Sequence, residues 1–163
     1  MTIGIGRLAR HFYRAGAAAL LLLAVGCAHA PPATAALQIA PPAPGTARIW
    51  IYRDYEPYVS LDRPYVRLNG AVVGISEPGG AFYRDVPPGQ YEVTVDSIGR
   101  DVYQFATIAV VPGQQVYLQV QVSRSWDSGG SKGAWEHPTF YTRLQLPEVA
   151  QAAIARSPFY GGS

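Results

Sequence analysis

The chain is poor in the residues that most often carry chemistry. It has one cysteine, Cys27, and three histidines, of which only His29 and His137 follow the first segment. A lone thiol cannot form an internal disulfide, so the fold must stand without that staple. One loop histidine, with His29 in a proline-rich stretch, no second thiol and no D-x-D-x-D-G run, excludes the common zinc and calcium sites, and no metal or other cofactor is expected. There is no phosphate loop and no nucleophile elbow. No apolar run is long enough to span a membrane: Ala15 to Val25 is eleven residues, rising about 16 Å as a helix against a hydrocarbon core of about 30 Å. Basic charge is also scarce. Setting aside Arg7, Arg10 and Arg14 leaves ten basic residues against eleven acidic ones, a net charge near −1 with histidine neutral. No basic patch is left to attract nucleic acid or an anionic membrane surface.

What is present begins with those three arginines. They form a positive n-region, and Ala15 to Val25 forms the short apolar h-region of a secretory signal. The segment ends Leu23-Ala24-Val25-Gly26-Cys27, which resembles a bacterial lipobox, in which a small residue precedes a cysteine that becomes lipidated and N-terminal on cleavage. Two features depart from the pattern. Ala24 stands where leucine is usual, and Ala28-His29-Ala30 fits an ordinary A-x-A cleavage site that would discard Cys27. The lipobox resemblance implies a membrane anchor through lipid on Cys27. Ala28, in place of the aspartate that retains many such lipoproteins in the inner membrane, implies an outer-membrane address facing the periplasm. The alternative is plain secretion.

From Ala28 to Thr46 alanine and proline dominate, with Pro31-Pro32, Pro41-Pro42 and Pro44. The stretch has no charge and few large apolar side chains, so it reads as an extended tether able to hold a domain about 60 Å from its anchor. The expected organisation is a signal peptide over 1–26, a lipidated cysteine and linker over 27–46, a β domain over 47–146, and a short helix and tail over 147–163.

The β domain is organised around Tyr65 to Val95. Asn69-Gly70 is the strongest short-range hairpin signal, since both central residues of a type I′ turn need positive φ. A two-residue loop sets Leu68 opposite Ala71 and Val66 opposite Val73. After Glu77-Pro78-Gly79-Gly80 comes a strand from Ala81 to Val86. The chain is then expected to reverse at Pro87-Pro88-Gly89-Gln90 through a type II turn with Gly89 in the left-handed position. Tyr91, Val93 and Val95 alternate with Glu92, Thr94 and Asp96, the pattern of a sheet with one wet face.

Further strands are expected at Ala47–Arg53, with Ile49 and Ile51 against Trp50 and Tyr52, at Val102–Val110, at Gln115–Ser123 after a second turn at Pro112-Gly113, and at Thr139–Leu146. Pro147 and Glu148 open a short helix that Ser157-Pro158 ends. About eight strands in roughly a hundred residues, punctuated every eight to twelve, indicate an all-β fold: an antiparallel β-sandwich with a short C-terminal helix.

Two stretches carry a family likeness. Val66-Arg67-Leu68-Asn69-Gly70-Ala71-Val72-Val73-Gly74 and Val86-Pro87-Pro88-Gly89-Gln90-Tyr91-Glu92-Val93, with the Tyr52-Arg53 strand end, resemble bacterial lipoproteins of a domain-of-unknown-function family. They are also similar to PEGA-like and transthyretin-like sandwich modules. The likeness spans Ala47 to Val122, and its motifs are structural. It therefore implies a fold, and brings no catalytic residue with it.

Candidate chemistry is correspondingly thin. Ser125 or Ser128 with His137 and Asp127 would make a Ser-His-Asp set, without a supporting motif. Asp62, Asp85 and Asp96 include candidate acid-base pairs for glycoside hydrolysis, although carboxylates are common on strand surfaces. The better-founded candidate is a binding surface of exposed aromatics: Tyr55 and Tyr58 in the polar loop 54–64, and Trp126 and Trp135 in the irregular stretch 124–138. Their partner would be an envelope protein or a cell-wall glycan. The competing reading packs both indoles over a sandwich edge and the tyrosines of the strands, such as Tyr52, Tyr83 and Tyr117, between the sheets. The expected function is thus a membrane-anchored envelope lipoprotein carrying a non-catalytic β module. The alternative is an anchored or secreted carbohydrate-active hydrolase.

Overall fold

Strand β1 (Ala47–Arg53) is buried along its whole length, as its two alternating apolar sets require. The computed structural model describes residues 30–127 and 135–163, without the side chains of 124–127 and 135–137; the signal segment and Cys27 lie outside the described residues. A compact unit spans Pro31–Ser163. In it β1 is the middle strand of a five-stranded sheet. β4 (Ala81–Val86) runs antiparallel on one side of it and β7 (Gln115–Asp127) parallel on the other. β8 (Trp135–Leu144) lies outside β7, and β9 (Phe159–Gly162) outside β4, again parallel. The second sheet has the order β3 (Ala71–Ile75), β2 (Tyr65–Leu68), β5 (Gly89–Val95), β6 (Ala106–Val110), all antiparallel.

The β-sandwich is thus present, but its larger sheet is mixed where an antiparallel one was expected. The cause lies in the proline-glycine turns. Each carries the chain from one sheet to the other, β4 to β5 and β6 to β7, instead of folding it back on its neighbour. β1 and β7 consequently enter their sheet from the same end, and can pair only in parallel. Gly89 has φ +159, far from the value near +80 of a type II turn, and already belongs to β5. Gly113 does take the turn conformation, with φ +77 and a Gln114 N–H to Val111 carbonyl bond of 3.1 Å.

The Asn69-Gly70 hairpin has the expected positive φ at both residues, +48 and +82. Its register holds for Leu68 with Ala71. It then slips at a bulge, so that Val66 faces Gly74 and not Val73. The strand expected from Val102 begins only at Ala106. Of the stretch expected to be irregular, 124–138, the described residues are strand: β7 and β8 stay paired out to Asp127 and Trp135.

Burying β1 on both faces produces two cores. Between the sheets Ile49, Ile51, Val66, Val93, Leu118 and Val120 form an aliphatic layer. On the outer face Trp50, Tyr52 and Tyr117 pack with Ala150 and Ile154 of helix α1 (Pro147–Arg156). These tyrosines therefore fill the layer beneath α1 and not the space between the sheets. The alanine-rich face of α1 matters because small side chains let it lie close to the aromatic rings, and Ala150 is fully buried.

The supposed tether is part of this layer. Thr34 is buried; its N–H and Oγ1 both donate to the Ser157 carbonyl, at 2.8 and 2.9 Å. Phe159 N–H donates to the Pro32 carbonyl, and Ala33 bridges to Pro158. Ile39 packs on the aromatic cluster, and Arg48 Nη1 donates to the Ala40 carbonyl at 2.6 Å. The apolar outer face of the sheet supplies the partner that the segment's composition alone did not suggest.

One end of the sandwich carries the long connections: β1, β3, β5 and β7 finish there, and β2, β4, β6, β8 and β9 begin. The opposite end has the short turns. At Gly113, a valine would have to hold a left-handed backbone. Gly113→Val is expected to lose about 1–3 kcal/mol, read as a lower urea midpoint with unchanged slope.

Candidate functional site

Arg53, the last residue of β1, shapes the loop end. It follows the parity of Ile49 and Ile51, so its side chain enters the space between the sheets and is 1% exposed. Among the described residues no carboxylate forms a salt bridge with it. Instead Nη2 donates to the Val59 carbonyl at 2.8 Å, and Nη1 to those of Asp62 at 2.7 Å and Ser76 at 3.5 Å. The guanidinium lies 4.9 Å from the centre of the Phe140 ring. Burial lowers its pKa, against the opposing pull of Glu56, Asp62 and Glu77, and arginine has enough margin to remain a cation. Its Nε and the Ser76 hydroxyl have no partner among the described residues.

By gripping carbonyls of the loop, Arg53 fixes the 3-10 turn Pro57–Val59 and buries Val59. The other side chains of the loop then face water. Tyr55 is 64% exposed, Tyr58 81% and Leu61 93%. Tyr55 lies beside Gly79, and the Tyr160 ring lies over Gly80, where a β-carbon would stand 2.6 Å from Cε2. An aromatic and aliphatic surface thus wraps the turn 77–80.

Next to it is an open groove of about 320 Å³, lined by Asp62, Arg63, Tyr65, Asp96, Ser97 and Ile98 among others. Two of the carboxylates singled out from the sequence, Asp62 and Asp96, meet here. Asp85 does not, being held by Arg48 toward the opposite end, with bonds of 2.7 and 2.8 Å. Asp96 is gripped by Arg67 at 2.7 and 3.0 Å. That hydrogen-bonded pairing holds its carboxyl below the usual range, whereas a general acid needs the opposite shift. Ser97 Oγ is engaged as well, accepting from Phe140 N–H at 2.8 Å and donating to the Pro138 carbonyl at 3.3 Å.

The remaining candidates fall on the β7–β8 ribbon. Trp126 pairs with Glu136 and Trp135 with Asp127 along the ladder. Ser125 stands opposite His137. Ser128 and Cys27 lie outside the described residues. The structure thus places Tyr55 and Tyr58, exposed on their loop, at the same end of the sandwich as the backbone positions of Trp126 and Trp135. Leu61, Tyr160 and the groove were not foreseen, since β9 carried no strand signal.

A second open groove, of about 290 Å³, lies between residues 34–39, α1 and the outer sheet face. Its lining includes Leu37, Ile39 and Ile154, with two internal hydrogen bonds: Trp50 Nε1 donates to Gln115 Oε1 and Gln151 Nε2 to Tyr117 OH, each at 2.9 Å. It was invisible in the sequence because one wall is the segment read as a tether. Among the described residues no cluster of His, Cys, Asp and Glu could hold a metal ion, and no helix is long and apolar enough to cross a membrane. No protein-family model, curated protein or solved structure matches the chain.

Arg53→Met is expected to leave the carbonyls of Val59, Asp62 and Ser76 without their donor, at about 1–3 kcal/mol for each that stays buried. Limited proteolysis should then cut within 54–64 while the β circular-dichroism signal persists. The Arg67–Asp96 pair gives a pH signature. With its folded pKa depressed, Asp96 adds stability above the unfolded value of about 3.9, and that stability is lost as pH falls toward the folded value. The stability difference between the wild type and Asp96→Asn should therefore be largest near neutral pH and shrink below about pH 4 in urea titrations.

Proposed function

We propose that the chain is an envelope lipoprotein: Cys27 becomes the lipidated N-terminus and anchors a non-catalytic β-sandwich module, with the outer membrane facing the periplasm as its address. The observation that carries this reading is the position of the only cysteine. It follows a small residue at the end of a charged, then apolar segment too short to span a bilayer. The compact unit begins at Pro31, just past that cysteine, which supports treating the preceding residues as a separate export and anchoring device.

The non-catalytic reading is supported by the way the polar groups of the loop-end groove are already engaged with one another. Grooves of this kind suit the exposed surface of an envelope protein or a cell-wall glycan, and the module acts by binding. The structural motifs around Asn69-Gly70 and Pro87-Pro88-Gly89 agree with a lipoprotein sandwich of the PEGA-like or transthyretin-like kind. The hydrolase alternative has one observation in its favour, the shared groove of Asp62 and Asp96, and the Arg67 clamp counts against it.

The test is Cys27→Ser in the full chain, followed by fractionation and mass spectrometry of the N-terminus. The wild type is expected in the membrane fraction with an acylated Cys27, and the variant is expected to lose acylation and leave that fraction. A wild-type chain that begins at Pro31 without lipid would overturn the anchor.

A further inference from the structure

We infer that the loop end of the sandwich rests on the bilayer surface, with Tyr55, Tyr58, Leu61 and Tyr160 as its contact; this rests on the lipid anchor proposed above. The first support is covalent. Only residues 28–30 separate Cys27 from Pro31. Four peptide units span at most about 14 Å. From Pro32 onward the chain is pinned: its carbonyl accepts from Phe159 N–H, Ala33 bridges to Pro158, and Thr34 is buried against Ser157. The long spacer suggested by the prolines is therefore absorbed into the domain, and the domain must lie close to its anchor.

The second support is where that pinned point lies. Phe159 is in register with Ala81, the first residue of β4, so the chain reaches the domain beside the loop end and next to the turn 77–80. Exposed apolar side chains lie at the same end. Tyr160 covers Gly80, Tyr55 adjoins Gly79, and Tyr58 and Leu61 continue along the loop that Arg53 holds in shape.

Tyrosine and leucine on a fixed loop match the polar-apolar boundary of a membrane, where a phenol ring buries its body and keeps its hydroxyl wet. The connections at this end carry mixed charge, with Asp54, Glu56 and Arg63 in one and Arg100 and Asp101 in another, so the contact is apolar and not a basic patch seeking anionic lipid. It need not be strong. An anchor about 14 Å away makes the encounter intramolecular, and even a weak interfacial preference then sets the orientation. The outer groove beside α1 is left free for a partner.

The experiment uses the full-length lipidated protein, in which a new cysteine is the only free thiol. Leu61→Cys and, as a control at the opposite end, Val111→Cys carry an environment-sensitive fluorophore. Each is reconstituted into phosphatidylethanolamine–phosphatidylglycerol vesicles with lipids brominated near the headgroup, and the N-terminal peptide of each sample is weighed. With Cys27 acylated, the Leu61 label is expected to be quenched at least about twofold more than the Val111 label. Equal quenching on acylated protein overturns the orientation and leaves the anchor standing. An unlipidated N-terminus overturns the anchor, and the orientation with it. If Leu61→Cys resists a water-soluble maleimide in intact envelopes while remaining unquenched in vesicles, the surface belongs to a protein or glycan, and the inference is likewise overturned.

Discussion

A strand that alternates two sets of large apolar side chains has to be covered twice, and β1 imposes that condition on the whole unit. Ile49 and Ile51 call for a second sheet, and Trp50 and Tyr52 for something on the outside. The outer cover is made from the helix α1 and the N-terminal segment, two pieces with little apolar content of their own. Neither would order in isolation; an alanine-rich helix of ten residues and a proline-rich segment gain their stability from the aromatic surface they share. The two grooves follow from the same constraint. One lies at the seam of the outer cover, the other at the end where Arg53 closes the space between the sheets.

The central pattern was legible. Alternation in 47–53, 91–96 and 115–123, and the Asn69-Gly70 turn, placed the strands because those signals are local: side-chain parity and positive φ. What was not legible was non-local. Whether a proline-glycine turn reverses the chain within a sheet or passes it to the opposite one depends on which strand occupies the neighbouring position, and nothing within Pro87-Pro88-Gly89-Gln90 carries that information. The parallel pairing of β1 with β7 was hidden for the same reason. Thr34 was missed because a threonine among alanines and prolines announces nothing until Ser157, far along the chain, presents a carbonyl to it.

The site was legible only in part. Tyr55 and Tyr58 are exposed on their loop as their polar neighbours suggested, but the fixing of that loop by a buried arginine was not apparent from Tyr52-Arg53, which read simply as a strand end. The tryptophans were expected in a loose loop, and both stand instead in the ladder that pairs β7 with β8 out to Asp127 and Trp135. Among the carboxylates, spacing could not tell that Arg48 and Arg67 would claim two of the three.

The bond between Thr34 and Ser157 spans 123 positions, and β9 joins the sheet through Ala81 and Tyr83. The first and last stretches of the compact unit thus complete each other. No partial length of the chain contains its own outer cover, and the aromatic face of β1 stays wet until the final residues arrive. Closing loops of that size delays the contacts that reward them, and places this architecture among slow folders. During that interval Trp50, Tyr52 and Tyr117 would offer a sticky surface to other chains.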